Sequence, residues 1–188
     1  MHLPLAVSFV DRGSSARVRG LIHTAVERHL LWWAGWRYGE NDEDRGWDWW
    51  EIFRECRSSA GRYECYAAVA ASDLQGLMVL DLSGRRTHAG TAIVIDYLAT
   101  NPGNRTKTHG LKYVGIALVL VAIRRSIESG AGGRLWLESL PGAADFYQSL
   151  GMKRQHRRSA EGHLVYILEP AVAEQLLEKA KENRIVQP

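Results

Sequence analysis

Leu135-Trp136-Leu137-Glu138-Ser139-Leu140-Pro141-Gly142-Ala143-Ala144-Asp145-Phe146-Tyr147-Gln148-Ser149-Leu150-Gly151-Met152 is the most informative stretch of the chain. It reads as a strand that ends near a carboxylate, a Pro-Gly turn, and a short helix from Ala143 to Leu150 that Gly151 stops. Two readings of its polar groups stand side by side. Tyr147 packs into a core while Glu138 faces water at a strand end, or both groups serve chemistry.

Upstream, Thr91 to Thr100 is rich in β-formers and stops at Asn101-Pro102-Gly103-Asn104, a strong turn signal. A loop carrying Arg105, Lys107, His109, Gly110 and Lys112 follows. It feeds an apolar helix from about Tyr113 to Ser129. Amides at a helix start lack intrahelical partners and the helix dipole favours negative charge there. Flanking Arg and Lys add charge-assisted bonds. The segment is a candidate phosphate cradle, and equally an ordinary solvated connection.

Working outward, Leu3 to Asp11 reads as a strand, and Asp11 to Ser15 as turn and helix-start residues. From Val18 to Trp36, apolar residues recur at three- and four-residue steps, which predicts an amphipathic helix. Gly39 to Gly46 is a polar, acidic loop, and Trp47 to Arg57 a second, shorter helix. Tyr63 to Ala71 and Leu74 to Leu82 form a hairpin around Ser72-Asp73, followed by turn residues from Ser83 to Gly90. Lys153 to Arg158 and His163 to Leu168 form a closing hairpin, and Pro170 opens a last amphipathic helix. The order is β-α-α-β-β-β-α-β-α-β-β-α: a mixed α/β domain on one mostly antiparallel sheet of about seven strands.

At 188 residues a single domain is the expectation. Hydrophobic content of 46% with 24% charged residues excludes a disordered chain. Two cysteines, Cys56 and Cys65, are too few for a disulfide framework and lack metal-ligand spacing, so no metal is expected and a reducing, cytoplasmic setting fits. Met1 to Val10 has no basic leader and is not read as a signal peptide. The longest apolar run, Tyr113 to Ile123, is about half of a bilayer span, so no membrane role is expected. A net charge of +3 permits a nucleic-acid partner without calling for one.

Taken together, the two segments resemble the GNAT acyl-CoA-dependent N-acetyltransferases. Pro102-Gly103-Asn104-Arg105 matches the opening of that family's acyl-CoA loop, and Val114-Gly115-Ile116-Ala117-Leu118 its close. Ala143-Ala144-Asp145-Phe146-Tyr147-Gln148-Ser149-Leu150-Gly151-Met152 matches the later Ala-x-x-Phe-Tyr-x-x-Leu-Gly-Phe signature. The resemblance covers about Tyr63 to Leu168. The loop between Arg105 and Gly115 is several residues longer than the family pattern, Tyr113 replaces the first helix-entry glycine, and Ser139 to Gly142 lacks an asparagine common among relatives.

The resemblance implies a GNAT fold over residues 1–188. Residues 1–60 would lie on the acceptor side, 63–168 would form the acyl-CoA core, and 170–183 a C-terminal helix that covers the core or makes a homodimer contact. It implies acetyl-CoA as co-substrate and a primary amine of a small molecule as acceptor, acylated by direct attack on the thioester. Leu98, Ala99 and Thr100 would pair with the pantetheine arm. Arg105, Gly110, Lys112, Tyr113, Val114, Gly115 and Ile116 would hold the pyrophosphate, with Lys107 or His109 also available. Tyr147 would be the general acid and Glu138 the base, with Asp96 as the alternative base. Trp32, Trp33, Trp36, Trp47, Trp49 and Trp50, with the acids among them, suit a cationic amine, or form a Trp-rich core beside a solvated loop. Other readings are a macromolecular acceptor (a protein N-terminus, a lysine, or aminoacyl-tRNA as in GNAT toxins) and a non-catalytic acyl-CoA-binding module. Lys153, Arg154, Arg157 and Arg158 would permit RNA contact.

Overall fold

A computed structural model of the chain describes residues 4–59 and 61–186, the Arg157 side chain excepted. Its frame is a nine-stranded sheet in the order β6-β1-β2-β3-β4-β5-β7-β9-β8. The strands are β1 (Leu5–Asp11), β2 (Arg17–Thr24), β3 (Tyr63–Ala70), β4 (Asp73–Thr87), β5 (Gly90–Thr100), β6 (Leu111–Lys112), β7 (Leu135–Ser139), β8 (Lys153–Arg158) and β9 (Leu164–Leu168). The helices are α1 (Glu27–Trp33), α2 (Trp49–Ser58), α3 (Val114–Glu128), α4 (Ala144–Ser149) and α5 (Pro170–Glu182). All pairings are antiparallel except β5 with β7.

The sheet is sandwiched between two helical layers. Along β4, Met78 and Leu80 face the core shared with α3, whereas Leu77 and Val79 face the core built with α1 and α2. Helix α3 is apolar nearly all round because it is clamped between the sheet and α5. It comes close to the sheet at Gly76, where a Cβ would stand 2.9 Å from Leu118 Cδ1 and 3.0 Å from the Ala99 carbonyl oxygen.

The mixed sheet is as expected, but it has nine strands rather than about seven. Two elements account for the difference. Residues 18–24, read as the start of a helix, belong to strand β2, and the helix begins only at Glu27. The three- and four-residue apolar steps were shared with a period of two: Gly20 and Ile22 are buried while Arg19 and Leu21 face out. Hairpin pairing with β1 settles the choice, because the Asp11 carboxylate accepts from the Ser14 amide at 2.7 Å and its hydroxyl at 2.8 Å, closing the turn. The other extra strand is β6, two residues of the long loop that pair with Val10 and Asp11.

Several boundaries also move. Strand β4 runs on to Thr87 through residues expected to turn. Helix α2 starts at Trp49, because the Asp48 side chain caps the Trp50 and Glu51 amides at 2.9 and 3.2 Å. The β3–β4 hairpin turns at Ala71 and Ser72, both with positive φ, as a two-residue turn matched to strand twist requires. Leu3, at the head of the expected first strand, lies outside the described residues.

Gly76→Ala is expected to lower stability by about 1–3 kcal/mol through overpacking against Leu118 and Val114. Thermal unfolding that matches the wild type would show that α3 is less tightly seated than these distances imply.

Candidate active site

The site begins with one extra residue. In the β4–β5 ladder, Leu80 pairs with Ile95 and Val79 with Tyr97, so Asp96 has no opposite number and forms a β-bulge. The alternation of β5 shifts there. Ile93 and Ile95 face α3, and so does Leu98, while Tyr97 and Ala99 turn to the α1–α2 side. The parallel ladder with β7 covers Ile93 to Ile95 and stops. Beyond it the ladder is not continued, which leaves the β7-facing backbone edge from Asp96 onward without a strand partner, its Thr100 carbonyl being taken by Arg105.

Two clefts meet at this divergence, and Leu140 borders both. The first, about 650 Å³, lies on the α3 side, with Leu98, Thr100, the first turn of α3 and Tyr147 in its walls. The helix enters from Tyr113, held at φ 74. A positive φ at the entry to a helix is a conformation that glycine adopts most easily, so Tyr113 is held there by its surroundings. Gly115 is small because Phe146 of α4 packs there, with its Cζ 3.1 Å from where a Cβ would be.

The loop before α3 is braced by buried amides. The Asn104 side-chain oxygen accepts from the Leu111 amide at 2.7 Å, and its nitrogen donates to Gln75 Oε1 at 2.9 Å. Asn101 holds the Gly103 amide at 3.0 Å and donates to the Leu74 carbonyl at 3.2 Å. Gly110, at φ 80, passes so close to Gly103 and Asn104 that no side chain fits. The additional loop residues are therefore ordered by pairing with β1 rather than filling the cleft.

Arg105 is fully committed to protein partners. Its guanidinium bonds Asp44 at 2.7 and 2.5 Å, Asp42 at 2.8 Å and the Thr100 carbonyl at 2.8 Å. The Glu43 carboxylate accepts from the Gly142 amide at 2.8 Å. The acidic segment around a short 3-10 turn (Glu43–Gly46) thus straps one side of the first cleft.

The second cleft, about 750 Å³, opens on the α2 side between β4, β5 and β7. Asp96 lies on its wall as an exposed side chain facing the cleft, with the protein of the cleft walls crowded around its carboxyl. Partial loss of water within the cleft, with Asp81 next and Arg62 opposing, pushes its carboxyl up to about 6. Asp81 is held below the usual carboxylate range: burial opposes this, but the Arg62 and Ser83 hydrogen bonds together prevail. Glu138 stands between Arg85 and His163, each 3.9 Å away. Aromatic faces complete the wall, with Arg85 stacked 3.9 Å over Trp136 and Arg62 4.7 Å over Tyr63.

Of the residues singled out from sequence, Leu98, Thr100, Arg105, Lys112, Tyr113, Val114, Gly115, Ile116 and Tyr147 converge on the first cleft, and Asp96 and Glu138 on the second. The Ala99 side chain is buried on the opposite face, Gly110 shapes the loop, and Lys107 and His109 point to solvent. Tyr147 is buried, and burial raises its phenol pKa, so it holds its proton. Among the tryptophans, Trp47 lines the second cleft while Trp36 and Trp49 are core. The acids at 42–44 border the first cleft instead. Sequence reading missed Gln75 and Arg12, whose only local signal was polarity beside turns, and read Asn104 as a turn residue without its bracing bonds.

No protein-family model and no curated protein matches the chain. Solved structures do. FdhC, an apo nucleotide-linked sugar GNAT, superposes with a TM-score of 0.63 at 11% identity, covering 100% of both chains. AtaTR bound with acetyl-CoA gives 0.58 at 17% identity, over 84% of this chain and 98% of that one. A Bacillus subtilis acetyltransferase in complex with CoA gives 0.51 at 20% identity, over 79% and 97%. The fold of this chain is the GNAT acetyltransferase fold.

The Asp44 side chain is 7% exposed, so losing its partner strands a charge. Arg105→Gln is expected to lower unfolding free energy by about 2–3 kcal/mol, with partial recovery on adding Asp44→Asn. Urea denaturation of the two variants checks this.

Proposed function

We propose that the chain is an acyl-CoA-dependent N-acyltransferase that moves an acetyl group from acetyl-CoA to a primary amine of a small molecule. The observation that carries this reading is the divergence of β5 from β7. It joins a cleft headed by a helix N-terminus to a cleft holding a carboxylate with a raised pKa. One side suits a phosphate-bearing thioester, the other an amine that must lose a proton.

The unpaired edge of residues 96–99 and the Thr100 amide offer backbone groups to the amides of an extended pantetheine arm, fixing the thioester at the divergence. The amides of the first turn of α3 face phosphate. Asp96 takes the proton that the acceptor nitrogen sheds as its N–C bond forms. Tyr147 gives its proton to the sulfur as the C–S bond breaks. Asp96 is better supported as the base than Glu138, because a carboxyl near 6 is half ionised close to working pH and still basic enough to accept. Glu138, between Arg85 and His163, is read as holding those two groups in place. The excess of carboxylates lining the second cleft favours a cationic acceptor.

Thiol release from acetyl-CoA with a panel of amines tests the reading. The acidic limb of kcat/KM should fall near pH 6, since the base works only when ionised. Asp96→Asn should cost about 100-fold or more in turnover and remove that limb, whereas Glu138→Gln should keep it. The raised pKa means that ionising Asp96 costs stability as pH rises through about 6, so Asp96→Asn should melt no lower than wild type at pH 8. Loss of activity accompanied by a lower melting point would point to a structural role for Asp96 instead.

Tyr147→Phe should depress kcat about 100-fold while acetyl-CoA affinity, followed by calorimetry, stays within about twofold. Unchanged kcat would remove the phenol from the chemistry.

A further inference from the structure

We propose that Arg12, in the turn between β1 and β2, is the side chain that grips a phosphate of the acyl-CoA, and that Arg105 is instead a tether for the acidic strap. This rests on the acyl-CoA reading above and assigns a ligand from outside the loop that the sequence pointed to.

The first cleft contains three cations, Arg12, Arg105 and Lys112. Arg105 donates to two carboxylates and a carbonyl, and one of those carboxylates is buried, so releasing Arg105 to a phosphate would strand Asp44. Phosphate binding by Arg105 is therefore opposed by the structure's own ion pairs.

Arg12 is in the opposite condition. Its Nε is shielded from solvent and has no hydrogen-bond partner among the described residues. Water does not reach that Nε, so a ligand in the first cleft, which Arg12 lines, would meet the terminal guanidinium nitrogens, and these make no hydrogen bond or ion pair among the described residues. Neighbouring acids are already committed. Asp11 is held by Ser14, Asp42 and Asp44 by Arg105, and Glu43 by the Gly142 amide. Among the described residues, Arg12 and Lys112 make no ion pair.

The backbone fixes where Arg12 sits. Its amide donates to the Gly110 carbonyl at 2.9 Å, and the residues before it pair with Leu111 and Lys112. The longer loop thus brings the β1–β2 turn against the approach to α3. Two uncompensated cations and the unbonded amides of the helix start then border one cleft, a charge arrangement suited to a multiply charged phosphate.

Calorimetric titration with acetyl-CoA, and turnover with acetyl-CoA against S-acetylpantetheine, a donor with the thioester but no phosphate, test the assignment. Arg12→Gln is expected to raise Kd and KM for acetyl-CoA about tenfold or more, as loss of a charge-assisted bond implies. It should shift KM for S-acetylpantetheine by less than about twofold, and flatten the salt dependence of acetyl-CoA binding. Arg12→Lys should recover part of the affinity. Wild-type affinity in both variants would overturn the proposal, as would an equal loss toward both donors, the mark of a structural role. A wild-type chain that binds no acetyl-CoA would overturn the acyl-CoA reading itself, and is distinguishable because it appears before any substitution.

Discussion

A strand can present its backbone to a ligand only where a neighbouring strand lets go, and the bulge at Asp96 marks where β5 parts from β7. The extra residue adds local twist, and the parallel ladder ends at the residue before it. The same residue rephases the strand, so that Tyr97 joins the aromatic wall of the second cleft while Leu98 lines the first. Every feature with chemical potential is arranged about that point: the free edge, the raised carboxyl, the helix start and the buried phenol.

A second bulge supports the first cleft from below. In the β3–β4 ladder, Gln75 is the residue without an opposite number, and its side chain turns inward to Ala70 and Asn104. Asn104 in turn fixes the loop whose later residues become β6. Buried amides of this kind persist because their hydrogen bonds are satisfied, and a satisfied network holds one loop geometry against the alternatives. The loop departs from the family pattern in length while its approach to α3 keeps a positive φ at Tyr113.

The acidic segment at 40–46 links the two sides of the molecule. Asp42 and Asp44 reach Arg105, Glu43 reaches Gly142, and Trp47 just beyond packs edge-on against Tyr97 at 5.1 Å in the second cleft. A segment rich in charge, which read as a solvated loop, is thus one wall of a site. What holds it is a partly buried, bidentate ion pair between residues far apart in the chain, where partner geometry matters more than charge count.

Local sequence determined the elements whose signals lie within a few residues. The Asn101–Arg105 turn, the apolar α3, the Gly151 stop of α4 (closed by Gly151 and Met152 amide bonds to Gln148 and Tyr147) and the closing hairpin all follow from propensity and capping. The family signature they carry pointed to the fold and to Tyr147. Tertiary structure alone decided the rest. Residues 17–24 carry both a helical and a strand period, and pairing with β1 selected the strand. Asp96 gained its raised pKa from the cleft walls that take water from it and from Asp81, neither visible in its own neighbourhood. Arg105 and Arg12 are both arginines beside turns, and what separates them is which carboxylates the fold brings within reach. Electrostatic partners and burial are properties of proximity in space, and sequence distance does not encode them.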